Sequence, residues 1–175
     1  HTLEQHLKRM VERGVHIVLV SPLRDDLPDW VPCEWWPVRP NTDAALMLGL
    51  AGEIVAAGRH DTDFLRRCCS GSETYLAQLR GERDGTPKTA AWAATITGLD
   101  AQRIRALALR MVDTRTQLTV SWSLQRAHHG EQPFWAALAL ASVIGQIGLP
   151  GGGVGFGYGS LGGVGGAINI GVSPA

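Results

Sequence analysis

The chain has 175 residues, 45% of them hydrophobic, which is enough for one α/β domain with a buried core. Sixteen basic residues balance sixteen acidic ones, so no basic face points to a nucleic-acid partner. The longest apolar stretch, residues 134–149, is broken by Ser142, Gln146 and glycines; it is too short for a membrane span and reads as a buried helix.

Cys33, Cys68 and Cys69 include an adjacent pair that cannot form an ordinary bridge. With no C-x-x-C, neither a zinc site nor an iron–sulfur cluster is indicated, and all three read as reduced, partly buried thiols. The first residue is not methionine, no signal-peptide pattern follows it, and the chain stops at Ser173-Pro174-Ala175. The expectation is an interior piece of a longer protein.

In chain order, Thr2 and Gln5 form a capping-box start, and Leu3, Leu7, Met10 and Val11 recur at helical spacing up to Gly14. The continuous run 15–20 predicts a parallel strand covered on both faces. A polar loop, 21–32, follows at the strand's carboxyl end, where open α/β sheets bind ligands. Residues 34–38 read as a short extended segment, with Pro37 arguing for an edge. A helix from Asn41-Thr42-Asp43 through Ala51 is apolar nearly all round and belongs inside the fold.

Further helices are expected over 61–69, 72–80, 87–97 with Pro87 in the first turn, and 100–111 with Asp100 as cap. Residues 117–122 predict a second strand, and residues 130–133 open the buried helix, which runs to Gly148. Ten of the sixteen residues from 151 to 166 are glycine, so 151–175 is expected to be a glycine-rich loop or tail beyond a domain at 1–150. The fold class that results is α/β, a doubly wound, mostly parallel sheet flanked by helices, as a partial domain of a longer protein.

Four polar segments stand where chemistry is expected. Ser21 and Pro22 end the first strand, where a hydroxyl and fresh N–H groups can meet phosphate or ribose; alone, they read as a solvated turn. Asn41, Thr42 and Asp43 are ordinary helix caps, and could equally present N–H groups and a carboxylate to a nucleotide. The run 122–132 is too dense in polar groups for a plain connection, and its Arg126 offers a planar fork suited to phosphate or a ring carbonyl. His128 and His129 are neighbours that rarely converge on one ion, so they read as hydrogen-bonding groups. Finally, glycines over 145–153 either stop a helix or let backbone approach a bulky ligand. There is no G-x-G-x-x-G after the first strand, no G-K-[ST] and no G-x-S-x-G.

Four segments in this order resemble the dimethyl sulfoxide, trimethylamine N-oxide and biotin sulfoxide reductases: 40–48, 84–93, 122–132 and 145–153. That resemblance implies molybdenum bis(molybdopterin guanine dinucleotide) as cofactor and reduction of a small S-oxide or N-oxide by oxygen-atom transfer. It also implies an electron-donor protein or reductant as partner, in the bacterial periplasm or cytoplasm. It puts Ser21, Pro22, Asn41, Thr42 and Asp43 on the guanosine diphosphate arm and Trp122, Ser123 and Arg126 on the cofactor-contacting run. The family's metal-ligating serine has no counterpart here, so no catalytic residue and no metal ligand is nominated. Two other readings stand beside it: a non-catalytic nucleotide-binding α/β module, and a structural domain whose glycine tail mediates assembly.

Overall fold

The computed structural model describes residues 2–156. Helix α1, Thr2–Glu12, buries Leu7 and carries a Glu4–Lys8 ion pair at 2.8 Å on its wet side. Its backbone is already helical at Thr2, whose side chain lies outside the described residues, as does the capping expected of it. Gly14, at φ 67°, ends the helix in a left-handed turn in which Gly14 N–H donates to Val11 and Val15 N–H to Met10.

Strand β1, Val18–Val20, pairs in parallel with β2, Glu34–Trp36, in the register Val18 to Glu34 and Val20 to Trp36. A loop with a single 3-10 turn at Arg24–Asp26 makes the crossover in place of a helix. The strand is shorter than the 15–20 run predicts and is not covered on both faces. Val15, before the strand, and Val20, at its end, are 45% and 36% exposed, and β2 is the one strand pairing with β1 among the described residues.

Helix α2, Asp43–Ala56, is the hub of the core, as its all-round apolar character predicts: Leu46, Leu50, Ala51 and Ile54 are buried. Around it pack α4 (Ser72–Leu79), α5 (Ala90–Thr97), α6 (Ala101–Asp113) and α7 (Gln132–Ile144), while α3 (Thr62–Cys68) lies on α7. Side chains cap three of these helices. Asp61 accepts from Phe64 N–H at 2.8 Å, Thr89 from Trp92 N–H at 3.1 Å and Asp100 from Arg103 N–H at 2.8 Å. Thr89 as cap corrects the expected start at Pro87: Lys88 turns back toward Asp84, so the helix begins only at Ala90. Likewise α7 stops at Ile144, where Gly145 (φ 75°) takes the left-handed cap, short of Gly148.

A second parallel pair joins β3, Gln117–Val120, to β4, Gly153–Phe156. Strand β4 lies inside the segment expected to be loop or tail, and no pattern in the sequence announced it. Gly153 has φ 101° and a Cβ there would meet Ile147 Cα at 3.2 Å, so glycine is what lets this strand lie close against the turn after α7. The rest of that expectation, 157–175, lies outside the described residues. The architecture is thus small parallel sheets flanked by helices, the two pairs separate from one another.

Candidate functional site

Both groups of candidate residues fall at carboxyl ends of parallel pairs. At the first, Ser21 N–H donates to Trp36 O at 3.2 Å and Trp35 Nε1 donates to Ser21 O at 2.9 Å, stitching the end of β1 to β2. Ser21 itself is buried. Its hydroxyl donates to Asp26 and accepts from Leu23 N–H at 3.1 Å, so the loop consumes the group that sequence reasoning offered to a ligand. Pro22 is exposed beside it.

Beyond β2, Arg39 runs to the last turn of α5, donating to Thr95 O at 3.1 Å and Ile96 O at 3.2 Å. A cation at a helix's carboxyl end is well placed, and this anchor fixes where the next turn starts. In that turn Asn41 is exposed and left-handed, with φ 63°. Thr42 occupies the N-cap position of α2, yet its hydroxyl donates backward to Arg39 O at 2.7 Å and no side chain caps the helix. This corrects the capping expectation. No side chain from the N-cap therefore satisfies the first-turn N–H groups of this fourteen-residue helix. Burial pushes the Asp43 carboxyl above its usual range, partly offset by its own N–H.

At the second end, β3 passes into a 3-10 turn, Trp122–Gln125. Ser121 Oγ accepts from Ser123 N–H at 3.3 Å and lies 2.8 Å from Ser123 Oγ. Trp122 is 51% exposed. The Arg126 backbone N–H donates to Ser123 O at 3.0 Å, while its exposed guanidinium has no hydrogen bond or ion pair among the described residues. Gly130 closes the turn: a Cβ there would meet Gln125 O at 2.1 Å. His128 and His129 are exposed, with ring centroids 3.8 Å apart, and no metal-holding group of three His, Cys, Asp or Glu occurs among the described residues.

The fold thus gathers Ser21, Pro22, Asn41, Thr42 and Asp43 at one end and Trp122, Ser123 and Arg126 at another. Ser123 and Arg126 make no hydrogen bond or ion pair with the first group among the described residues. Neither lines the open groove of about 600 Å³ between α3, α4 and α7, which Cys68, Tyr75, Trp135 and Leu138 help form. Sequence reasoning missed Glu34, the first residue of β2. Burial would raise its carboxyl, but hydrogen bonds from Trp36, Arg110, His16 and Arg103 outweigh that and hold it at about 2. It also missed Glu53, buried in α2, whose one signal was a charge inside an apolar helix.

Comparison with known proteins defines the class. The family profile described as molybdopterin oxidoreductase matches residues 1–173, and the chain belongs to that family, whose cofactor is a molybdopterin. It is 74% identical over all 175 residues to the biotin sulfoxide reductase of Cereibacter sphaeroides, covering 24% of that protein. To the dimethyl sulfoxide/trimethylamine N-oxide reductase of the same organism it is 49% identical over 152 residues, covering 87% of this chain and 18% of the relative. The chain therefore spans about a quarter or less of the relatives it matches. Acetylene hydratase from Pelobacter acetylenicus superposes with a TM-score of 0.68 at 23% identity over 83% of this chain and 19% of its own, a likeness of fold alone.

Proposed function

We propose that this chain is the cofactor-binding portion of a longer molybdenum oxidoreductase that reduces S-oxides or N-oxides by oxygen-atom transfer. The observation that carries the reading is the 74% identity to a biotin sulfoxide reductase along the whole chain. The bound form is molybdenum bis(molybdopterin guanine dinucleotide), with residues 1–150 as the binding unit and 151–175 as a glycine-rich extension of it.

The donor set fits such a group. Uncapped N–H groups at the start of α2 suit phosphate oxygens, the Asn41 carboxamide suits a ribose or base, and the Asp43 carboxylate can accept from guanine N–H groups. Ser21 serves by holding the loop at its side, leaving Pro22 and the adjoining backbone to face the arm. Trp122 supplies a flat apolar wall, Ser123 a hydroxyl, and Arg126 a donor fork for a pterin carbonyl or phosphate. When bound, the metal and its dithiolenes supply the oxygen-accepting, two-electron chemistry; these residues bind and orient. An external protein or small reductant supplies the electrons.

The test is made on the full-length polypeptide carrying this chain. Metal analysis should find stoichiometric molybdenum, and a reduced dye should be reoxidised by biotin sulfoxide, dimethyl sulfoxide or trimethylamine N-oxide. Active protein devoid of molybdenum rejects the assignment.

A further inference from the structure

Helix α2 meets α5 through glycine. A Cβ at Gly49 would lie 2.4 Å from Ala93 Cβ, and one at Gly52 would lie 1.8 Å from Lys88 O. Three residues apart, the two glycines present one smooth face on which the backbones come close. Helix packing is registered by ridges seated in grooves, and here Ala93 Cβ and Lys88 O seat in the groove that the two glycines leave. Rotation of α2 would carry a neighbouring side chain into those atoms, so the place of α2 on α5 is narrowly defined here.

Glu53 is the next residue. It is 6% exposed, with one oxygen accepting from Ala90 N–H at 2.7 Å and the other from Arg105 Nε at 2.8 Å. The first bond is directional and reaches the opening residue of α5; the second ties α6 to the same carboxylate. Stability alone does not call for this arrangement, since an apolar residue of like volume often serves as well where a charge is buried. What the carboxylate adds, beside this close contact, is a directional bond to the first residue of α5. A helix transmits such a tie rigidly, at ~1.5 Å of rise and ~100° of rotation per residue, to its own N-terminus.

We infer that Glu53 is a positioning residue that sets the register of α2 on α5 and thereby the place of the Asn41–Thr42–Asp43 turn. This rests on the reading of that turn as part of the cofactor site. The opposite end of the same connection is already anchored by Arg39 on the last turn of α5, so α5 holds α2 from both sides of the turn.

Hydrogen exchange and molybdenum content of the full-length protein test it, using Glu53→Met, Glu53→Gln and, for the turn itself, Asn41→Ala with Asp43→Asn. Glu53→Met should raise exchange at residues 43–49 and 90–93 by about tenfold or more, leave 62–79 within about twofold, and lower molybdenum content. Glu53→Gln, which keeps an oxygen for Ala90 N–H, should restore most of both. Exchange that rises evenly throughout means a merely structural loss and overturns the inference, as does unchanged exchange at α2. Local loosening with full molybdenum content also overturns it, provided the turn variants do lose molybdenum. If the turn variants retain molybdenum too, the reading of the turn has failed, and exchange alone decides whether Glu53 sets the register.

Discussion

The two parallel pairs end in loops of the same topological kind but are secured by different means. The β1–β2 pair is held by charge and side chains: at the start of β2 Glu34 gathers His16 and Arg110 at 3.0 Å and Arg103 at 3.2 Å, and past the carboxyl ends Asp26 and Arg39 fasten the loops. The β3–β4 pair is held by neutral groups. Before β3, Gln146 accepts from Thr116 N–H and donates to Thr114 O, both at 2.8 Å, and past its carboxyl end Gly130 allows the turn to close. The contrast explains which side chains stay available. Beside the charged pair, the Ser21 and Thr42 hydroxyls are spent on the loops. Beside the neutral pair, the Arg126 guanidinium makes no bond among the described residues.

The sharpest way to break the second arrangement is Gly130→Ala. Its Cβ would collide with the Gln125 carbonyl at 2.1 Å, and backbone cannot swing aside as a side chain can. A loss of about 3 kcal/mol is expected, read as a fall in thermal midpoint. An unchanged midpoint would show that the turn has room this structure denies it.

The first arrangement should instead be sensitive to acid. Glu34 sits at about 2 in the fold against an ordinary 4.5, so on acidification the unfolded chain takes up the proton first. Its contribution is complete above pH 4.5 and drains away as pH falls toward 2. Glu34→Gln should cost about 2 kcal/mol at neutral pH, with the gap to the unsubstituted protein closing in acid. A gap constant with pH would mean that shape, not charge, matters at this position. Gly130→Ala should show no such convergence.

How far these features were legible depends on what carries pattern. The burial of α2 and the cap at Asp100 could be read because apolar periodicity and a carboxylate before a helix are local signals. Strand β4 could not, since Gly153 and Gly155 carry no side chain to alternate. The turn before α2 misled for another reason. Thr42 has the right identity for a cap, but its hydroxyl donates back to Arg39 O and accepts from no α2 N–H, an orientation that only the three-dimensional path of the chain decides. Glu34 and Glu53 draw their partners from residues 16 to 110, separations at which spacing is silent. The candidate site was therefore legible as segments, while the division between fastening and available groups was not.

A smaller effect is expected from Asp26→Ala, which removes the acceptor of the Ser21 hydroxyl. The loss should be about 1 kcal/mol, because Ser21 keeps its bond from Leu23 N–H. If the loop is a passive rim, molybdenum content will be unchanged. If it shapes the ground on which Pro22 meets the guanosine arm, molybdenum content will fall with stability nearly intact.

Arg126→Ala should have the least effect on stability and is the most direct probe of the contrast. The guanidinium is exposed and makes no bond among the described residues, so the thermal midpoint should move by no more than about 0.5 kcal/mol equivalent. Cofactor retention or turnover in the full-length protein should nonetheless weaken, and Arg126→Lys should recover it only in part. An ammonium keeps the charge but not the two-donor fork that matches a carbonyl or phosphate edge. An early-melting Arg126→Ala variant would place this arginine among the fastening groups. Unchanged cofactor content and kinetics would remove it from the site. Only the combination of intact stability and weakened retention fits a side chain that the neutral pair leaves over for the ligand.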